Sequence, residues 1–136
     1  MSSSKMKPRS AVLINYFCII IALILFYGIK YAGFSKIFLL LEIIPLICLI
    51  ISFRIAFSTS NLWKLTHSSF RKLDEREIQI VYKATTYSYS IFTILCLVLI
   101  YTFYLLGFPI IDVVLAGSLL YIAHILPASI IVWNEK

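Results

Sequence analysis

The chain has 136 residues, of which 62% are hydrophobic and only 13% charged, against about 25% charged in an ordinary soluble domain. That balance excludes a soluble globular protein. Four long apolar stretches leave no length for a second, water-soluble domain, so residues 1–136 are expected to form a single integral membrane domain. The net charge of +6 is accounted for by membrane orientation and attraction to anionic lipid, and nucleic-acid binding is not expected.

Residues Met1–Ser10 are polar and carry Lys5, Lys7 and Arg9. They lead into the first apolar run, Ala11–Ile29. This start resembles a signal peptide. The run has 19 residues, however, against about 7–15 for a signal h-region, and no small-residue cleavage site follows. It is read as a retained span. Tyr31-Ala32-Gly33-Phe34-Ser35 then makes a short turn into the second span, residues 37–57.

The apolar core of that span, Ile37–Phe53, contains Glu42. Its 13 Leu, Ile and Phe residues favour insertion by on the order of 4 to 8 kcal/mol. A carboxylate at the centre costs about 2.5 to 3.5 kcal/mol on the same scale. Insertion wins. Glu42, about 8 Å below the outer end of the span, still needs a partner or a proton. Arg54 closes the span and can snorkel to the headgroups.

Residues 58–81 form the one sizeable loop. Its first part, Ser60–His67, mixes Leu62, Trp63 and Leu65 with Lys64, a pattern suited to a short helix at the membrane interface. Its second part, Leu73-Asp74-Glu75-Arg76-Glu77-Ile78, places Asp74 at the N-cap and Glu77 at N3 of a capping box. Leu73 and Ile78 occupy the hydrophobic-staple positions, and Glu75 and Glu77 face the positive end of the helix dipole. A helix is therefore predicted to start near Glu75 and run unbroken into the third span, residues 82–108.

Gly107-Phe108-Pro109 turns the chain into the fourth span, residues 110–133. The predicted fold is all-α: a polytopic membrane four-helix bundle built from two helical hairpins. Placing the N-terminus inside puts ten Lys and Arg residues on the inner side and leaves only Lys30 and Lys36 outside. Both termini and the loop are thus expected to be cytoplasmic. Gly33-Phe34 aligns with Gly107-Phe108, Tyr27 with Tyr101 and Leu25 with Leu99, a correspondence that chance also produces in sequences this rich in Leu and Ile.

Candidate functional residues fall in two groups. Asp74, Glu75, Arg76 and Glu77 form a charged cluster that either caps a helix or docks a partner. Glu42, Asp112 and His124 are ionisable residues inside spans, where such residues are rare. A proton path through them meets a geometric objection. Asp112 and His124 are twelve residues apart, which puts them roughly 120° apart around the helix. Asp112 is equally explained as an interfacial residue starting a helix, and His124 as a hydrogen-bonded packing residue.

Tyr82, Thr86, Tyr89, Thr93 and Cys96 form a stripe on span 3, with Asn15, Cys18 and Ala22 as a shorter stripe on span 1. Small and hydroxyl-bearing stripes suit close helix packing. Cys18, Cys48 and Cys96 lie within spans and show no paired spacing, so they read as packing residues. His67 and His124 stand too far apart in sequence to suggest a haem pair or a zinc site. No metal site, cofactor or catalytic constellation emerges, and an enzyme is not expected.

The residues Asp74-Glu75-Arg76-Glu77, followed by Ile78, Gln79, Lys83 and Ala84, carry one resemblance. The chain resembles small four-span prokaryotic membrane proteins of no known activity, in which a cytoplasmic Asp-Glu-Arg-Glu or Asp-Glu-Arg-Gln sequence precedes the third span. The resemblance implies a fold and a location. The expected role is a non-enzymatic accessory or regulatory protein of the inner membrane that works through a partner at the cytoplasmic loop or through homo-oligomerisation. The alternative is a small oligomeric transporter or channel subunit using Glu42, with Asp112 or His124 assisting.

Overall fold

In the computed structural model the protein is all-α, and the described residues are 7–59, 61–107 and 111–134, without the side chain of Phe70. Residues 1–6, 60, 108–110 and 135–136 lie outside that set, and with them the expected turn Gly107-Phe108-Pro109 beyond its glycine. Four helical segments are long and apolar enough to cross a membrane: Pro8–Tyr31, Lys36–Ser58, Glu75–Leu105 and Val113–Asn134. The protein is a multi-pass membrane protein. Its chain divides into two compact units, residues 1–61 and 62–136.

The first unit is a hairpin of α1 (Pro8–Tyr31) and a compound second span. Pro8 sits at the first helical position of α1, where its missing N–H costs no hydrogen bond and its fixed φ suits the helix. The helix ends at Gly33, whose φ of +71° is a left-handed conformation that glycine adopts without penalty. Lys30, in the last turn, faces the negative end of the helix dipole. Its ammonium lies 5.6–5.8 Å from the ring centres of Phe26, Tyr27 and Tyr31.

The second span is not a uniform helix, as an unbroken 37–57 segment would be. It begins as a 3₁₀ segment, Lys36–Glu42, becomes α2 at Ile43–Phe53, and closes with a π segment, Arg54–Ser58. Pro45 supplies a reason for the first change, because it has no N–H to continue an α-helical ladder onto Leu41. The π turn is held at its end by Thr59, whose backbone N–H and hydroxyl both donate to the Arg54 carbonyl, at 3.0 and 2.9 Å. Because 3₁₀ structure rises about 2.0 Å per residue rather than about 1.5 Å, the upper part of the span is stretched. On α1 the buried residues Ala11, Val12, Asn15, Cys18 and Ile19 recur at helical spacing and form one stripe. The helix packs against α2 and the π segment.

The second unit holds α3 (Leu62–His67), a 3₁₀ turn (Phe70–Lys72), α4 (Glu75–Leu105) and α5 (Val113–Asn134). Asn61, at φ +56°, turns the chain into α3; Asn tolerates this region better than most residues. The helices α4 and α5 pack on each other, and α3 packs on both. Small residues, Ala84 and Ser88 on α4 and Ala128 and Ser129 on α5, share the buried positions with the larger Val81, Leu115, Ile125, Ile131 and Val132. The small residues allow close backbone approach in a membrane. At the far end of α4, Gly107 adopts φ +69°, the same helix-ending device as Gly33.

At 31 residues, α4 is about 46 Å long, whereas the hydrocarbon core of a bilayer is about 30 Å thick. Roughly 11 residues of it must therefore lie beyond the apolar layer. Its polar first turns, with Glu75, Arg76, Glu77 and Lys83, are the part suited to water.

Candidate functional site

Within the first hairpin, polar side chains meet inside the bilayer. Asn15, fully buried, donates from Nδ2 to the Leu49 carbonyl at 3.1 Å and to Ser52 Oγ at 3.0 Å. Ser52 Oγ in turn donates to the same carbonyl at 3.0 Å. This three-membered bridge joins α1 to α2, and each donor placed in the hydrocarbon has an acceptor. The stripe Asn15–Cys18 is thus engaged by the partner helix of its own hairpin. Ser52 carries no signal by itself in the sequence, since a lone serine in an apolar run announces no partner.

One turn along the same seam, Cys18 and Cys48 come together, although their sequence spacing suggests no pair. Both line an apolar cleft of about 340 Å³ with Ile21, Leu25, Leu41, Ile44 and Pro45. Cys18 is buried and both thiols are free. Glu42 sits at the junction where the 3₁₀ segment gives way to α2. Its Oε1 is buried with no hydrogen-bond partner among the described residues. No other buried side-chain N or O in that set is left so.

The second hairpin treats its polar groups differently. Thr86, Ser88, Ser90, Thr93 and Thr102 each donate to the carbonyl four residues back on α4, at 2.6–3.3 Å. The two threonines of the stripe predicted on span 3, Thr86 and Thr93, are therefore satisfied within their own helix, and Tyr82 and Tyr89 stand 68% and 74% exposed. Asp112 caps α5: its Oδ1 accepts from the Leu115 N–H at 3.0 Å.

At the start of α4 the Asp74 side chain accepts from the Glu75 N–H at 2.7 Å. Glu77 Oε2 accepts from the Asp74 N–H at 3.0 Å, completing a capping box. Two of the four charged candidates are thus engaged in starting the helix. Glu75 and Arg76 remain exposed and outside the box, with Gln79 and Lys83 exposed along the following turns.

The largest departure from sequence expectation concerns the histidines. His67 and His124, 57 residues apart, stack at 6.0 Å between ring centres with 9° between planes. Trp63 stacks on the other side of His67 at 3.9 Å and 21°. Both imidazoles point Nδ1 at a carbonyl of their own helix: His67 at Trp63 O, 3.0 Å, and His124 at Leu120 O, 2.7 Å. Nδ1 of His67 also lies 3.0 Å from the Thr66 hydroxyl. The stack pins α3 to α5. Among the described residues no group of three or more His, Cys, Asp or Glu residues that could hold a metal occurs.

No known family, curated protein or solved structure matches this chain.

The protein is an all-helical, four-span membrane protein with a polar bridge inside its first hairpin. Glu42 belongs to the first hairpin, and Asp112 and His124 to the second. Asp112 serves the start of α5 and His124 serves the ring stack, so the two do not form one site.

Proposed function

We propose that this protein is a non-enzymatic accessory or regulatory membrane protein that acts through a partner or through self-association. Both hairpins are taken as one membrane domain, with the termini and residues 58–81 on the cytoplasmic side. The positive-inside distribution of Lys and Arg supports that orientation. The observation that carries the reading is the length of α4, 31 residues. Its surplus over the bilayer, about 16 Å, projects a charged helical surface where a partner can reach it. Glu75, Arg76, Gln79 and Lys83 are the contact residues, while Asp74 and Glu77 hold the helix start in place. The test is a crosslinked pull-down from native membranes with Glu75→Lys and Arg76→Glu. These variants keep the capping box, should insert normally and should lose the proteins that co-purify with wild type. Co-purification with the same proteins in the same amounts contradicts the reading.

A second reading, a small transporter or channel subunit, draws on the unpartnered Oε1 of Glu42. A carboxyl without a partner inside a span is a natural site for a proton or a cation. Reconstituted protein should then carry a proton or ion flux that Glu42→Gln abolishes. Absence of flux under every gradient removes this reading and leaves the first untouched.

A further inference from the structure

Between Thr59 and Leu73 there is no acidic residue, and Lys64, Arg71 and Lys72 are all exposed. We propose that this segment is a headgroup site for anionic phospholipid, with α3 as its platform and these three cations as its ligands.

Three observations support that occupant. The first is tethering: only residues 59–61 separate α3 from the last helical residue of the second span, a reach of at most about 10 Å. On its other side α3 is followed within eight residues by the start of α4. The segment cannot stray far from the membrane surface, so the most abundant acidic partner within reach is the lipid leaflet itself.

The second is orientation. Leu62 is buried and Trp63 stacks on His67, which stacks on His124 of α5. These contacts hold one side of α3 against the hairpin. Lys64 lies outside them and is exposed. The third is chemistry. Trp is favoured at the interface between headgroup and acyl chain, and clustered Lys and Arg beside a span attract anionic headgroups. An acidic soluble protein would satisfy the charges and ignore the tether and the tryptophan.

This site is separate from the α4 surface proposed for a partner, and the two fail independently. The test uses the full chain in nanodiscs, with Trp133→Phe as background so that Trp63 is the sole tryptophan. Quenching of Trp63 by brominated phosphatidylglycerol is compared with quenching by brominated phosphatidylcholine at equal mole fraction. The expected result is preferential quenching by the anionic lipid, weakened by added salt and reduced about fivefold in relative association constant per cation removed in Lys64→Gln, Arg71→Gln and Lys72→Gln. The exposed positions make these variants safe for folding, and the salt titration tests wild type without any substitution. Equal quenching by the two lipids overturns the proposal. So does a preference that survives both high salt and the triple substitution.

Discussion

The two hairpins solve one problem in opposite ways. Each must hide polar atoms inside hydrocarbon, where an unsatisfied donor has no water to turn to. In the first hairpin the polar atoms reach across: Asn15 bridges to Ser52 and to the Leu49 carbonyl. In the second, the α4 hydroxyls fold back on their own helix, each bonding the carbonyl four residues earlier. A cross-helix bridge fixes register between two spans. A back-bonded hydroxyl fixes nothing beyond its own turn. The first hairpin also carries the irregular span, with its 3₁₀ and π segments, and the one buried orphan oxygen in the described set.

The sharpest way to break this contrast is to remove the bridge. Asn15→Leu should lower the stability of the protein in detergent by about 1–2 kcal/mol, because an interhelical hydrogen bond is lost and a larger apolar group is forced into a packed site. A double-mutant cycle with Ser52→Ala should show coupling of about 0.5–1.5 kcal/mol. Additive effects in that cycle would mean that the two side chains do not act together.

Next in size come the glycine turns, where the hairpins should agree. Gly33→Ala and Gly107→Ala each place a Cβ at positive φ, at a cost of about 1–2 kcal/mol, in otherwise open space. Unfolding measurements on the two variants should give matching losses. A large loss at one site alone would show that the turns are not equivalent.

Third, Asp74→Ala removes the N-cap of α4 and should cost about 1 kcal/mol, seen as faster amide hydrogen exchange confined to the first turn of the helix. Protection unchanged there would remove the capping role. Smallest is Ser88→Ala, which deletes only a back-bonded hydroxyl. A change of about 0.5 kcal/mol is expected, the low end for one intramolecular hydrogen bond, since Ala leaves the Ala84 carbonyl its backbone partner. A loss as large as that of Asn15→Leu would erase the distinction between the hairpins.

The parts of the fold that were legible in the sequence are those written in local chemistry. The start of α4 could be read to the residue because the capping box and its dipole-facing acids lie within four positions. Four helices long and apolar enough to cross a membrane followed from apolar run length. Features that depend on distant residues were not legible. Asn15 and Ser52 are 37 residues apart, and nothing local to either names the other. Cys18 and Cys48 meet only because the hairpin turn sets the register of α1 against α2. The stack of His67 on His124 requires α3 to fold back onto α5, which no periodicity encodes. The division of the second span into 3₁₀, α and π segments reflects the missing N–H of Pro45 and the double hold of Thr59 on Arg54, effects that apolar content alone does not reveal.

The polar first turns of α4 are proposed to meet another polypeptide. The most direct measurement is site-specific photo-crosslinking in native membranes, with benzoylphenylalanine at Gln79. A discrete protein adduct is expected, either one partner or a second copy of this chain, that Arg76→Glu diminishes and Glu42→Gln leaves intact. Crosslinks to lipid and water alone, or an adduct indifferent to Arg76→Glu, would contradict it.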